Sequence, residues 1–179
     1  MAKLDYNMIA IGAGSGGLVS TFIASAVKAK VALIEKNKMG GDCLNTGCVP
    51  SKALISSAKA VQMLKKHTLY GLKNVSYEVD FALTMERVQE IITKLEPHDS
   101  VARYSSLGVE CHIGKAMIRS PHEVEVNGQV LTTKNIVVAT GARPFVPPTP
   151  GLEDVQFSHS GNIWDLRKQP KHLAVIGGG

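Results

Sequence analysis

Aromatic residues and cysteine are both scarce in this chain of 179 residues. Only four Phe, four Tyr and one Trp are present, so we expect a core of small aliphatic side chains. The three cysteines are an odd number, which argues against the disulfide framework of a small secreted protein. Charged residues are 20% and hydrophobic residues 44% of the chain, which excludes intrinsic disorder.

Dense basic patches are lacking too, although the formal net charge is +5. The densest is Lys65-Lys66-His67, and no aromatic side chains interleave with the basic ones, so we expect no nucleic-acid partner. Residues 8–27 are uncharged over a length that could span a membrane. Glycines and hydroxyl residues interrupt this stretch and Asp5 precedes it, unlike a membrane span or a signal peptide. We therefore expect a soluble, cytoplasmic protein with no membrane partner.

The start of the chain has the pattern of a β-α-β unit. Residues 7–11 and 31–34 predict buried strands, and residues 18–30 predict a helix between them. The turn between the first strand and the helix matches G-x-G-x-x-G, as Gly12-Ala13-Gly14-Ser15-Gly16-Gly17. In this context the glycines allow a pyrophosphate to approach free N–H groups at the helix N-terminus, and Glu35 can accept hydrogen bonds from a ribose. The alternative is a purely structural glycine turn.

Further along the chain, apolar spacing and glycine or proline positions predict two more helices and five more strands. The helices are expected at 51–66, after a loop at 39–47 and with Pro50 in the first turn, and from Asp80 or Thr84 to about 107, kinked at Pro97. The strands are expected at 109–113, in a small antiparallel meander of 116–119, 123–126 and 129–132, and at 135–139.

Four prolines between 144 and 150 indicate a domain boundary in the range 143–171. Residues 172–176 then predict a new buried strand, followed by Gly177-Gly178-Gly179, which repeats the strand-then-glycine order of the start. Chains rarely end on such an apolar run. We therefore expect one domain at 1–145, a linker at 146–170, and the first strand and glycine turn of a truncated second domain at 171–179.

Cys43 and Cys48 form a C-x4-C pair in the loop at 39–47 and just after it. A zinc site would need two more ligands, for which Cys111 and His112 are the adjacent candidates, at a spacing unlike usual zinc motifs. A structural disulfide is unusual inside cells, so a redox pair is favoured.

Helix geometry constrains this pair. Residues five apart in a regular helix have Cα atoms about 8–9 Å apart, whereas a disulfide needs roughly 7 Å or less. A disulfide between these cysteines therefore requires an interruption of the helix. Asn45 and Gly47 allow this interruption, and Pro50 then starts the regular helix. A thiolate near that helix N-terminus would have a lowered pKa, and Lys52 could hold a cation close by. The alternative for Lys52 is a solvated helix lysine.

The run of residues 40–52, behind the β-α-β unit, is Gly40-Gly41-Asp42-Cys43-Leu44-Asn45-Thr46-Gly47-Cys48-Val49-Pro50-Ser51-Lys52. It resembles the flavin disulfide oxidoreductases, the group of dihydrolipoamide dehydrogenase, mercuric reductase and glutathione reductase. The resemblance covers nearly the whole chain and implies an α/β fold: a Rossmann-like FAD-binding domain, with a parallel sheet, helices and an inserted antiparallel β-meander. By this resemblance the chain ends at the start of a second Rossmann domain, which would bind NAD(P)H.

The resemblance also implies roles for individual residues. Cys48 would lie under the flavin as a charge-transfer thiolate, Cys43 would exchange with the substrate, and Lys52 would contact the flavin near N5, which makes these three the implied catalytic residues. FAD would be the cofactor and no metal is implied. The implied cofactor-binding residues are Gly12, Ala13, Gly14, Ser15, Gly16, Gly17, Glu35, Lys36, Gly41, Asp42, Lys52, Ala116, Thr140 and Gly141.

The sequence departs from the family pattern in ways that bear on the substrate. Asp42 stands where threonine is common, Pro50-Ser51-Lys52 favours the lipoamide and mercuric group, and residues 14–17 are less typical of lipoamide dehydrogenases. The implied reaction passes electrons between NAD(P)H, FAD and the cysteine pair, with a small-molecule disulfide, dithiol or metal ion as substrate. A dihydrolipoamide dehydrogenase-like enzyme is favoured. The alternatives are a mercuric or glutathione reductase-like enzyme and a non-catalytic FAD-binding module.

The resemblance places the nicotinamide site and an acid–base histidine in further domains of a homodimer. None of the six histidines of this chain falls in such a motif. We therefore expect the 179 residues alone to be inactive.

Overall fold

Four parallel strands form the centre of the protein, which the computed structural model describes over residues 4–177. Together with two antiparallel strands they make one six-stranded sheet. The strands are β1 (Tyr6–Ile11), β2 (Val31–Glu35), β3 (Val109–Ile113), β4 (Ala116–Ser120), β5 (Glu123–Val126) and β6 (Gln129–Val138). Their order across the sheet is β3-β2-β1-β6-β5-β4.

Five α-helices connect or cover these strands. They are α1 (Ser15–Ala26), α2 (Gly41–Asn45), α3 (Cys48–Lys65), α4 (Phe81–Leu95) and α5 (Val101–Ser106). Short 3-10 turns lie at His67–Tyr70, Glu96–Asp99 and Ile163–Asp165. Helices α3 and α4 pack on each other, and an Arg87 guanidinium N–H on α4 donates to the Ala53 carbonyl of α3 at 3.1 Å.

The two faces of the parallel strands are covered by different structures. On one face Ile9 and Ile34 pack with the buried residues of β5 and β6, so the meander covers that side. On the other face Ala10 and Leu33 pack with Leu18 of α1 and with α5. Burial on both faces explains why β1 and β2 are continuous apolar runs rather than alternating ones. The predicted α/β, Rossmann-like architecture with an inserted meander is therefore confirmed.

The strands predicted separately at 129–132 and 135–139 are one strand. The first half of β6 pairs antiparallel with β5, and its second half pairs parallel with β1, from Tyr6↔Thr133 to Ile11↔Val138. Polar residues at the point where β6 changes partner from β5 to β1 made the strand look interrupted in the sequence. The Thr133 side chain is nevertheless buried, and its hydroxyl donates to the Asn135 carbonyl at 3.0 Å. A single strand thus ties the meander to the central sheet.

The helix predicted as kinked at Pro97 is instead two helices. Asp80 caps α4, since its carboxylate accepts the Leu83 N–H at 2.9 Å. After the 3-10 turn that contains Pro97, Ser100 starts α5 by accepting the Arg103 N–H at 3.2 Å. Proline removes a helical donor, and a serine three residues later supplies a new N-cap, so the chain restarts rather than bends.

Two further expectations need correction. The loop predicted at 39–47 contains the short helix α2, and α3 begins at Cys48 rather than at residue 51. The strand predicted at 172–176 is not formed: residues 172–177 are exposed and make no ladder, because no other strand of residues 4–177 lies beside them. Gly178 and Gly179 lie outside the described residues, so the domain assignment at 171–179 stays a prediction.

Candidate functional site

The carboxyl ends of the parallel strands meet at one edge of the sheet, where ligands bind in open α/β folds. A cleft of about 700 Å³ lies at this edge. Its walls are the segments that follow β1, β2, β3 and β6 together with the chain around α2. The residues that line it include Gly12, Gly14, Glu35, Lys36, Gly41, Asp42, Ala116, Thr140 and Gly141. Nine of the predicted cofactor-binding residues, from five separate segments, therefore surround one space.

The glycines of the first turn serve different purposes. Gly12 has φ +105°, a conformation that L side chains rarely adopt, and Gly17 packs so closely that a Cβ would overlap the Gly12 carbonyl. Gly14 has an ordinary extended conformation, and a Cβ there would meet only the Gly41 Cα, at 3.8 Å. The fold itself thus requires Gly12 and Gly17. The side-chain-free position of Gly14 instead leaves space in the cleft for a ligand.

Glu35 holds the glycine turn to the end of β2. Its carboxylate is buried, and the two oxygens accept the Ala13 N–H at 2.7 Å and the Asn37 N–H at 2.6 Å. The ribose contact predicted for Glu35 would use the remaining lone pairs of the same carboxylate. A structural role, which the sequence did not indicate, therefore accompanies the predicted one.

The charge of the cleft favours an anion. Four cationic side chains line it against two carboxylates, those of Glu35 and Asp42. The cations are Lys36, Lys38, Lys115 and Arg143. The Asp42 carboxylate accepts the Thr46 hydroxyl at 3.3 Å. A diphosphate would find a net positive surface here.

A second cavity of about 430 Å³ adjoins the main cleft and shares Asp42, Thr46 and Arg143 with it. Its other walls include Gly47, which precedes Cys48, and residues 159–161. The two spaces thus lead from the Glu35 end of the cleft to Thr46 and Gly47, next to Cys48 in the sequence, a long path that suits an extended ligand. Arg143 and residues 159–161 are missing from the predicted site, because no local motif marks them.

The segment 43–48, here called the cysteine turn, contains a fixed interruption of the helix at Thr46 and Gly47. Helix α2 ends at Asn45, the Gly47 backbone has φ −121° and ψ −103°, and α3 begins at Cys48. The Asn45 amide donates to the carbonyls of Met39 and Gly41 at 3.0 and 2.8 Å. Gly47 packs on the preceding helix, where a Cβ would lie 2.9 Å from the Asp42 carbonyl oxygen. This is the helix interruption that a bonding pair requires.

Both cysteines of the turn are free thiols, with Cys43 half-buried and Cys48 exposed. The hydrogen bond with Cys48 raises the pKa of the Cys43 thiol, and burial and the Asp99 carboxylate act in the same direction. The Ser15 hydroxyl opposes them, which places this residue of the glycine turn beside Cys43. The lowered pKa expected near the helix N-terminus does not apply to Cys43, which lies outside α3. Cys43 therefore stays a neutral thiol to higher pH than a free cysteine.

Other predicted residues lie outside the cleft wall. Ala13 and Gly17 are buried beneath the glycine turn, while Ser15 and Gly16 are exposed in the first turn of α1. Lys52 is exposed on α3, one helical turn after Cys48. The flavin contact that the resemblance implies for Lys52 stays a prediction, and its side chain does not line the cleft.

The described residues carry no sign of a metal centre or a membrane span. Within residues 4–177 no three His, Cys, Asp or Glu side chains are grouped so as to hold a metal ion. No helix in the same range has both the length and the apolar character needed to cross a bilayer.

Comparison with known proteins adds to this geometry. The model of the family described as pyridine nucleotide-disulphide oxidoreductase matches residues 6–179. Over 98% of its length the chain is similar to a mercuric reductase of Bacillus cereus (35% identity) and a dihydrolipoyl dehydrogenase of Acholeplasma laidlawii (36% identity). It is 33% identical to a glutathione reductase of Nostoc sp. over 98% of the chain. The aligned regions are only 28%, 53% and 38% of those three relatives.

A solved structure supports the fold. The chain is similar to the Cu(II) complex of the HOCl-induced flavoprotein disulfide reductase RclA from Escherichia coli, with a TM-score of 0.71 and 24% identity. The similarity covers 90% of this chain and 34% of that one.

Proposed function

Because the chain belongs to the pyridine nucleotide-disulphide oxidoreductase family, we propose that it is the FAD-binding, redox-active part of a flavin-dependent disulfide oxidoreductase. The observation that carries this proposal is the continuity of the anion-binding cleft with the cysteine turn, through the shared residues Asp42 and Thr46. One ligand in that path would contact both the glycine turn and the neighbourhood of Cys48.

The residues present fit FAD. Gly14 leaves space in the cleft that the protein does not need for its own packing. The free N–H groups at the start of α1 suit a pyrophosphate. Glu35 and Lys36 would hold the adenosine ribose, Ala116 would lie at the adenine, and Gly41 and Asp42 would follow the phosphates, with Thr140 and Gly141 opposite them. When bound, FAD would supply the hydride-transfer chemistry that cysteine side chains lack.

The cysteine turn would carry out the thiol–disulfide steps. In the oxidised pair, a substrate thiolate attacks the Cys43 sulfur, the Cys43–Cys48 bond breaks, and Cys48 leaves as a thiolate. A second thiol of the same substrate then displaces Cys43, so that the substrate is oxidised to a disulfide and the pair is reduced. The helix interruption between the two cysteines and the effect of Cys48 on the pKa of the Cys43 thiol support this assignment. Lys52, one turn after Cys48, would add positive charge on the same face of α3.

We further propose that the substrate is a small disulfide, dithiol or metal ion, as the names of the relatives suggest, and that a dihydrolipoamide dehydrogenase-like reaction is the first candidate. The whole protein would act as a cytoplasmic homodimer with NAD(P)H as electron donor or acceptor. Residues 1–145 would form the FAD domain, 146–170 a linker, and 171–179 the start of a nicotinamide-binding domain. The chain spans about a quarter to a half of its curated relatives, so 179 residues alone would be inactive.

Anaerobic reduction of the FAD-loaded chain tests the proposal. Addition of two electrons should produce a long-wavelength absorption band, because a Cys48 thiolate would lie against the flavin. Cys48→Ser should bind FAD with unchanged affinity and lack the band, with Cys111→Ser as the matched control that keeps it. Protein that rejects FAD, or a band that survives in Cys48→Ser, would contradict the proposal. FAD binding without any redox response of the cysteines would favour a non-catalytic FAD-binding module.

A further inference from the structure

The one tryptophan of the chain lies against the cysteine turn. Trp164 belongs to the 3-10 turn Ile163–Asp165, which follows the sheet. Its indole N–H donates to the Thr46 carbonyl oxygen at 2.8 Å and is shared with the Ser160 carbonyl at 2.7 Å. Thr46 lies between Cys43 and Cys48 in the sequence, so this bond holds the middle of the turn from 118 residues away.

The Thr46 carbonyl needs such a partner. In a continuous helix it would accept the N–H of the residue four positions later, but that residue is Pro50, which has no N–H. The regular bonding of α3 begins with the next pair, where the Ser51 N–H donates to the Gly47 carbonyl at 3.1 Å. The Trp164 indole therefore replaces the donor that proline removes, at the point where the chain leaves the helix.

Trp164 is itself anchored to a long helix. Its backbone carbonyl accepts the Gln89 side-chain amide of α4 at 3.3 Å and the Arg167 guanidinium at 3.0 Å. Helix α4 packs on α3, which begins at Cys48. The indole is thus fixed relative to Cys48 through α4 as well as to Thr46 through its N–H.

We propose that Trp164 is a positioning residue for the thiol–disulfide chemistry of the Cys43–Cys48 pair, an inference that rests on the redox function proposed above. The indole N–H limits the conformations of the turn to those in which the two sulfurs are close. That restraint raises the effective concentration of one thiol at the other and favours the disulfide. Without it the reduced turn gains conformations with separated sulfurs, and the equilibrium moves towards the dithiol.

The equilibrium can be measured on the full chain with glutathione as the redox partner. Two protein thiols and one glutathione disulfide give one Cys43–Cys48 disulfide and two glutathione thiols. One S–S bond forms, one breaks, and the two protons pass to glutathione. Trypsin cleaves after Lys38 and Lys52, so peptide 39–52 contains both cysteines and excludes Cys111. Acid quenching, alkylation of free thiols and mass spectrometry of this peptide then give the oxidised fraction.

Two replacements remove the N–H. One is Trp164→Phe. The other is β-(3-benzothienyl)alanine, which keeps the shape of indole and enters only at position 164, because the chain has a single Trp. Loss of one net hydrogen bond should reduce the equilibrium constant for disulfide formation about three- to tenfold in both. Lys168→Ala changes an exposed side chain of the same segment that takes no part in the contacts of Trp164 or the turn described above, and should stay within about twofold of wild type.

Wild-type equilibrium constants in both Trp164 replacements, or constants higher than wild type, would overturn the positioning role while leaving the redox function intact. A wild-type chain that forms no disulfide in peptide 39–52 at any glutathione ratio would overturn the redox function and, with it, the role of Trp164. The two failures are therefore distinguishable in one experiment.

Discussion

Gly14→Ala separates ligand binding from folding more cleanly than any other substitution in the glycine turn. The Gly14 backbone is extended, at φ −83° and ψ −170°, which alanine adopts without strain. The added Cβ would lie 3.8 Å from the Gly41 Cα, an ordinary van der Waals distance. Alanine is a poorer N-cap than glycine, but it lowers the entropy of the unfolded chain. We therefore expect a change within about 1 kcal/mol in the free energy of unfolding.

The same methyl group would project into the space that the pyrophosphate is proposed to fill. Inserting a methyl into a close contact costs about 1–3 kcal/mol, which corresponds to a Kd for FAD about 5- to 150-fold higher. Gly17→Ala is the matched control from the same turn. Its Cβ would overlap the Gly12 carbonyl, which belongs to the main chain and cannot rotate away, so we expect about 3 kcal/mol or more of lost stability.

Isothermal titration with FAD gives the affinity, and urea unfolding without FAD gives the stability of each variant. We predict a stable Gly14→Ala protein with weak FAD binding and a destabilised Gly17→Ala protein. This prediction would be wrong if Gly14→Ala bound FAD as tightly as wild type. It would also be refuted if Gly14→Ala were as unstable as Gly17→Ala, because the loss of FAD would then reflect misfolding.

Two further predictions concern Glu35 and Cys43. Glu35→Gln replaces a carboxylate that accepts two backbone N–H groups with an amide that has only one acceptor oxygen. It should lower the free energy of unfolding by about 2 kcal/mol. An unchanged urea midpoint would show that these bonds do not hold the turn. Cys48→Ala removes the main cause that keeps the Cys43 pKa high, so the midpoint of the Cys43 alkylation rate should move to lower pH. A midpoint that stays in place or rises would contradict that cause.

Local patterns were sufficient to predict the β-α-β unit and the meander. The apolar runs of β1 and β2 and the glycine motif between them are short-range signals, and Asn127-Gly128 marks the turn between β5 and β6, with both residues at positive φ. Such signals depend on a few neighbouring residues, so they can be recognised without knowledge of the rest of the fold.

Features that depend on distant partners were not predictable in the same way. The continuity of β6 depends on its pairing with β1 at the opposite end of the chain, which no pattern at 132–135 reveals. Ser100 is a local signal for a new helix after Pro97. One kinked helix fits the same apolar periodicity, however, so the sequence did not distinguish it from two helices. Trp164 contacts Thr46 across 118 residues, and Trp164 itself belongs to no motif. The second, structural role of Glu35 likewise needs the Ala13 N–H to be placed by the turn.

The proposed function requires that one chain holds both a flavin and a dithiol–disulfide pair, in electronic contact with each other. Anaerobic titration of the oxidised, FAD-loaded chain with dithionite, followed by absorbance, counts the electrons that each chain accepts. We expect four electrons for wild type, two for the flavin and two for the Cys43–Cys48 disulfide, and two for Cys43→Ser. A wild-type chain that accepts only two electrons, the same as Cys43→Ser, would contradict it.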